Sequence, residues 1–146
     1  MLTAPTTPIS INLPVMDQLI RDVLNSCVYG GSNYWAEFEI LETHVDEDDL
    51  PTPQHVRVHD HGDSVEVLSS RDISLSEVRE GIRVLLTASV GDKAPDGTLY
   101  QNHQIVHKGT REHVYTALVS GKHYDIDIDG ADAILQYAFF GHIVYG

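Results

Sequence analysis

Residues 55–86 read HVRVHDHGDSVEVLSSRDISLSEVREGIRVLL, and this stretch decides the fold class. Val56 and Val58 alternate with polar neighbours, Asp60-His61-Gly62-Asp63 has turn chemistry, and Val65 and Val67 alternate again, so the spacing predicts a β-hairpin. Within a few residues the period changes. Ser74 and Glu77 stand at capping-box spacing, and Leu75, Val78, Ile82, Leu85 and Leu86 then recur as one helical stripe that runs out before Gly91. A hairpin that passes directly into a helix is not the strand-and-helix alternation of a doubly wound sheet. It predicts an α+β fold, with a small, mostly antiparallel sheet packed with three to four helices.

Upstream, the apolar pairs Val15/Met16, Leu19/Ile20 and Val23/Leu24 recur four residues apart and continue to Cys27/Val28, which predicts an amphipathic helix. Asn12 is placed to cap it, with Pro14 in its first turn, and Gly30-Gly31 to end it. Ala36, Phe38 and Ile40 then alternate with Glu37 and Glu39, the period of a strand over 34–41. Residues 42–54 hold five acids and two prolines and read as an acidic loop.

Downstream, residues 92–109 contain Pro95 and Asp96-Gly97 with little apolar periodicity, and read as a long surface loop. Thr110 to Ser120 is a short helix ended by Gly121. Residues 131–140 are apolar nearly all round, the mark of a helix buried on most sides, and Gly141 is placed to close it. The β-prone residues 142–146 are expected to add a strand to the sheet, or to pair edge to edge between copies in a homo-oligomer. The Thr- and Pro-rich residues 1–9 read as a flexible arm, and 10–146 as a single domain.

The 146 residues carry 22 acids against nine Lys and Arg, a formal charge of −13. Such a field repels phosphates and anionic membrane surfaces, so direct nucleic-acid binding and membrane association are not expected. Cys27 is the only cysteine, and the opening MLTAPTTPIS has no signal-peptide character, which suits a cytoplasmic protein. No GxSxG elbow or Gly-rich phosphate loop ending in Lys is present, and no cofactor is implied. No catalytic residue is assigned, and a non-catalytic role is favoured.

The densest unusual segment is Gly30-Gly31-Ser32-Asn33-Tyr34-Trp35. Asn33 both donates and accepts, Tyr34 and Trp35 offer flat faces, and the terminal His142 to Tyr145 segment has similar polar and aromatic character. Asn33, Tyr34, Trp35, His142 and Tyr145 are therefore the candidate ligand contacts. The competing reading of 30–35 is a helix C-cap followed by core aromatics.

Two patterns resemble metal sites. Asp125, Asp127, Asp129 and Gly130 match positions 1, 3, 5 and 6 of a calcium loop, yet position 12 is Gln136 and position 8 is Asp132. The favoured alternative has Asp129 capping the last helix and Asp132 in its first turn. His59 and His61, on one strand face beside Asp63, could share a transition metal, whereas solvated imidazoles opposite a buried Val56/Val58 face are the simpler reading.

GGSNYW after the first helix and ADAILQYAFFGHIVYG at residues 131–146 resemble a family of small uncharacterised proteins from bacteriophages and prophages. The resemblance covers roughly residues 13–41 and 111–146, and departs from the family where His142 replaces an expected acid. It implies an accessory protein in the host cytosol that binds a host small molecule or host protein, with a possible counter-defence role. Two other classes compete: an acidic DNA mimic that occupies a nucleic-acid-binding host protein through Glu42–Asp49 and Asp125–Asp132, and a small metal-dependent hydrolase using His and Asp.

Overall fold

The first helix closes at its glycine pair, where Tyr29 and Gly30 leave helical backbone in a single wide turn. In the computed structural model, which describes residues 14–45, 51–122 and 126–146, α1 spans Asp17–Ser26 and continues into a π-type turn at Cys27–Gly31. The Ser32 N–H reaches back five residues to the Cys27 carbonyl at 3.2 Å. The chain leaves that turn through Ser32–Trp35 straight into the sheet. Met16, in extended backbone, stands at the N-cap, while the expected cap Asn12 lies outside the described residues, as do the 1–9 arm and residues 46–50 of the acidic loop.

Among the described residues the sheet has three antiparallel strands in the order β1-β2-β3: Ala36–His44, Thr52–Asp60 and Ser69–Ser74. Val56 and Val58 are fully buried, while His55, Arg57 and His59 lie on the other face, as the period of two requires. β1 begins with the buried Ala36, but Ile40 is exposed, and the register with β2 shifts just beyond it, between Ile40 and Glu42.

The hairpin partner of β2 is not the predicted one. Val65 and Val67 are 101% and 52% exposed and stand in the 61–68 connection. The pairing strand is the polar segment SSRDIS, held in register by Ile73 opposite Val56, with both side chains fully buried. An edge strand needs only one such inward anchor. Arg71, opposite Val58, donates from Nη1 to the Phe139 carbonyl at 3.0 Å, tying the edge to the helical layer.

The helices cover the inner face. α2 (Leu75–Thr87) opens on the expected capping box, with the Ser74 N–H donating to Glu77 Oε2 at 3.1 Å. α3 is Lys108–Ser120, closed by Gly121 at φ 72°. α4 is Ile128–Phe140, closed by Gly141 at φ 79° and buried from Gly130 to Phe139 on every side, as its all-round apolar composition predicts. α2 approaches α4 through Gly81, where a Cβ would stand 2.6 Å from the Ile134 carbonyl oxygen. The fold is thus a small α+β domain with one core. Among the described residues no helix is long and apolar enough to cross a membrane.

Three loop expectations change. The acidic loop expected over 42–54 is shorter at both ends, because β1 runs on through His44 and β2 opens at Thr52. Residues 92–107 are more than a surface excursion: Tyr100 and Ala94 are buried, and Tyr100 donates its hydroxyl to the Gly141 carbonyl at 2.6 Å. The Val106 N–H donates to the Tyr137 hydroxyl at 2.9 Å, pinning the loop along α4. Residues 142–146 add no strand. Three of their backbone donors are taken instead by the Gln104 carbonyl, which accepts the Ile143 N–H, and by the Gln136 side chain, which accepts those of Val144 and Tyr145, each at 2.9 Å.

Candidate functional site

Asp132 sits on α4, 7% exposed, where the exit of the π-type turn meets it. Each of its oxygens accepts two hydrogen bonds. Oδ1 takes Ser32 Oγ at 2.6 Å and Trp35 Nε1 at 2.8 Å; Oδ2 takes the Tyr34 hydroxyl at 2.5 Å and Gln136 Nε2 at 2.9 Å. A buried carboxylate is tolerable when its acceptor capacity is met in this way. Gln136, one turn on and 1% exposed, is also saturated: besides Asp132, Nε2 donates to the Tyr145 carbonyl at 3.0 Å, and Oε1 accepts the Val144 and Tyr145 N–H groups. The pair fastens both the 32–35 segment and the chain's last residues to one helix.

The network also orders the aromatics. Trp35 is 0% exposed, with Tyr145 stacked on it at 5.6 Å between centroids and Phe139 edge-on at 5.7 Å. The Tyr145 hydroxyl donates to Asp60 Oδ1 at 2.9 Å, which also receives the Gly62 N–H, so the terminus is tied to the end of β2. Burial, aided by Asp60, pushes the Tyr145 phenol up to about 12, and burial, aided by Asp132, raises the Tyr34 phenol above its ordinary value. Cys27 is likewise enclosed beneath the network. Its Sγ–H donates to the Ala131 carbonyl at 3.3 Å, and burial pushes the thiol up to about 12, as an inert core cysteine requires.

At this network opens a cavity of about 720 Å³, lined by residues of the 102–111 segment, of α4 and of the terminal segment. Tyr34, Asp132, Gln136 and Tyr145 form its floor; Lys108 and Asp129 stand on its walls. A second groove of about 930 Å³ runs between α2 and α3 over Ile82, Leu86 and Leu118. Its rim arginines are engaged, Arg79 with Asp17 and Arg83 with Glu80.

Of the five candidate contacts, Tyr34 and Tyr145 line the 720 Å³ cavity. Trp35 lies beneath it and presents no surface, so the core reading of that residue holds. Asn33 points elsewhere and donates to the Val28 carbonyl at 3.2 Å, closing the turn. The His142 ring rests near Phe140, 6.3 Å between centroids, and is not among the lining residues. The sequence reading missed Asp132 and Gln136 as partners, and the wall at 102–108. One signal was available: two polar residues at i, i+4 inside a helix otherwise apolar on all sides must have partners.

The metal patterns do not assemble. Asp127, not Asp129, caps α4, accepting the Gly130 N–H at 2.7 Å. Gly130 is helical and packed against Val114 and Ile126, so the sharp turn a calcium loop needs at that glycine is absent; Asp125 lies outside the described residues. Asp132 belongs to the buried network rather than to an open helix end. The His59 ring bridges Ser70 Oγ and Glu39 Oε1, each at 2.6 Å, while His61 follows the end of β2 rather than lying on it. Among the described residues no group of three or more His, Cys, Asp or Glu is placed to hold a metal ion.

No family model, no curated protein and no solved structure matches this chain.

Proposed function

We propose that this chain is a non-catalytic binding protein of bacteriophage type, acting in the host cell by holding a small polar molecule in the cavity above Asp132 and Gln136. The observation that carries this reading is the convergence of both resembling segments, 30–35 and 131–146, on one hydrogen-bonded floor beneath a cavity of about 720 Å³. That volume falls within the range of small-molecule sites, and a floor with all its bonds made is preorganised. The floor is poorly suited to proton transfer. Asp132 has no lone pair left to offer, and the raised Tyr34 phenol stays protonated at neutral pH. Sequestration of a host signalling molecule would give such a protein a counter-defence role.

Native mass spectrometry of the protein purified from cells tests this directly. A retained small-molecule mass that is lost when Ala133→Trp fills the cavity supports the reading. A clean apo-protein, together with no thermal shift from a metabolite library, would refute it and direct attention to a protein partner.

A further inference from the structure

The hydrogen bonds already made around the cavity restrict what it can hold; the step below rests on the binding reading above. Floor groups are spent, since Asp132 and Gln136 have no capacity left. Arg111 is anchored, donating from Nε to the Leu85 carbonyl at 2.8 Å and from Nη2 to that of Ala88, where it closes the end of α2. Among the described residues, Lys108 and Asp129 are the charged lining groups that make no side-chain hydrogen bond. Lys108, from the 102–111 segment, is 86% exposed and, among the described residues, makes only a 3.8 Å contact with Glu112. Asp129, on the α4 wall, has no hydrogen bond or ion pair to another described residue. Ile105, Val106 and Ile143 supply apolar lining to the same cavity, each half-buried and packed on the core.

Opposite charges on the lining of one cavity favour a ligand carrying both signs. The net charge of −13 adds a preference of its own, because a net anion such as a nucleotide must approach against that field, whereas a neutral zwitterion does not. We propose that the cavity binds a small zwitterion of the amino-acid or dipeptide class bearing an apolar side chain. Its ammonium meets Asp129, its carboxylate meets Lys108, and its side chain lies against Ile105, Val106 and Ile143. Tyr34, held by Asp132, forms the base of the site and is a positioning residue.

Isothermal titration calorimetry with L-leucine, L-phenylalanine and glycyl-L-phenylalanine tests this, against N-acetyl-L-phenylalanine, phenethylamine and adenosine monophosphate. At least one zwitterion should bind, and every singly charged analogue and the nucleotide should bind about tenfold more weakly or not at all, as expected when one charge-assisted bond is removed. Asp129→Asn and Lys108→Met, both at exposed positions, should each weaken the zwitterion about tenfold while leaving Trp35 emission unchanged. Equal binding of phenethylamine, of N-acetyl-L-phenylalanine or of the nucleotide overturns the proposal, as does indifference to Asp129→Asn. If none of the zwitterions binds but the purified protein retains another small molecule, this inference fails and the binding reading stands. If nothing is retained and nothing binds, both fail.

Discussion

Trp35 donates its indole Nε1–H to Asp132 Oδ1 at 2.8 Å, joining two residues 97 positions apart. The bond is one of four on a single buried carboxylate, so removing that carboxylate strands several enclosed donors at once. Each unsatisfied buried donor costs about 1–3 kcal/mol. Asp132→Ala should therefore lose roughly 3–5 kcal/mol, a large share of the ~5–15 kcal/mol that holds a domain together. Asp132→Asn keeps Oδ1 for Ser32 and Trp35 but turns an amide donor toward Gln136 Nε2, and should lose roughly 2 kcal/mol. Urea denaturation followed by emission from Trp35, the only tryptophan, reads both. An Asn variant as stable as the parent would show that the network contributes little.

Gly81 offers a test of the α2–α4 contact. A Cβ there would stand 2.6 Å from the Ile134 carbonyl oxygen and 3.0 Å from the Ala138 nitrogen, backbone atoms of a buried helix that cannot swing aside. Alanine gains up to about 1 kcal/mol in helix propensity, but overpacking a core costs roughly 1–3 kcal/mol and more where backbone must move. Gly81→Ala should lower the thermal midpoint. A raised midpoint would mean that the helices are farther apart than this.

Acid stability has a local contribution at the start of α2. Burial alone would raise the Glu77 carboxyl, but hydrogen bonds from the Ser74 and Ser76 hydroxyls and from backbone N–H groups outweigh it and hold the group down to about 2. The folded value lies below the ordinary 4.5, so the contribution is complete above pH 4.5 and disappears as pH falls from there toward 2. Because the carboxyl is partly exposed, its size should be that of an ordinary cap, roughly 1 kcal/mol. Glu77→Gln should flatten the stability profile over that window and leave the slope above pH 5 unchanged; parallel profiles for the two proteins would contradict it.

These outcomes separate what the sequence exposes from what it hides. The capping box at Ser74, the Val56/Val58 alternation, the all-round apolar α4 and the terminating Gly121 and Gly141 are local patterns, and each is found where its pattern places it. β3 was hidden because Val65 and Val67 carry a stronger alternation than SSRDIS. The choice between them is made by Ile73 meeting Val56, and by the chain running directly from Ser74 into α2. The candidate site was half legible: aromatic and glycine content drew attention to 30–35, but nothing within that segment says that its donors converge on one acid among 22. That fact belongs to a contact about a hundred residues long in sequence, |i−j| = 100 for Ser32 and Asp132.

The terminal segment gives the clearest case of a side chain doing a strand's work. Gln136 Oε1 accepts the Val144 and Tyr145 N–H groups, and its Nε2 donates to the Tyr145 carbonyl, a pairing that a neighbouring strand would otherwise supply. Gln136→Leu keeps much of the volume and removes every one of these bonds. The Val144 and Tyr145 amides should then exchange with solvent at least about tenfold faster, corresponding to ~1.4 kcal/mol of lost local stability, while amides within α4 change less. If those two amides keep their protection, the terminus must be held by the Tyr145–Asp60 bond and the stacking on Trp35 instead. Tyr145→Phe, which removes the first and keeps the second, would then decide between them.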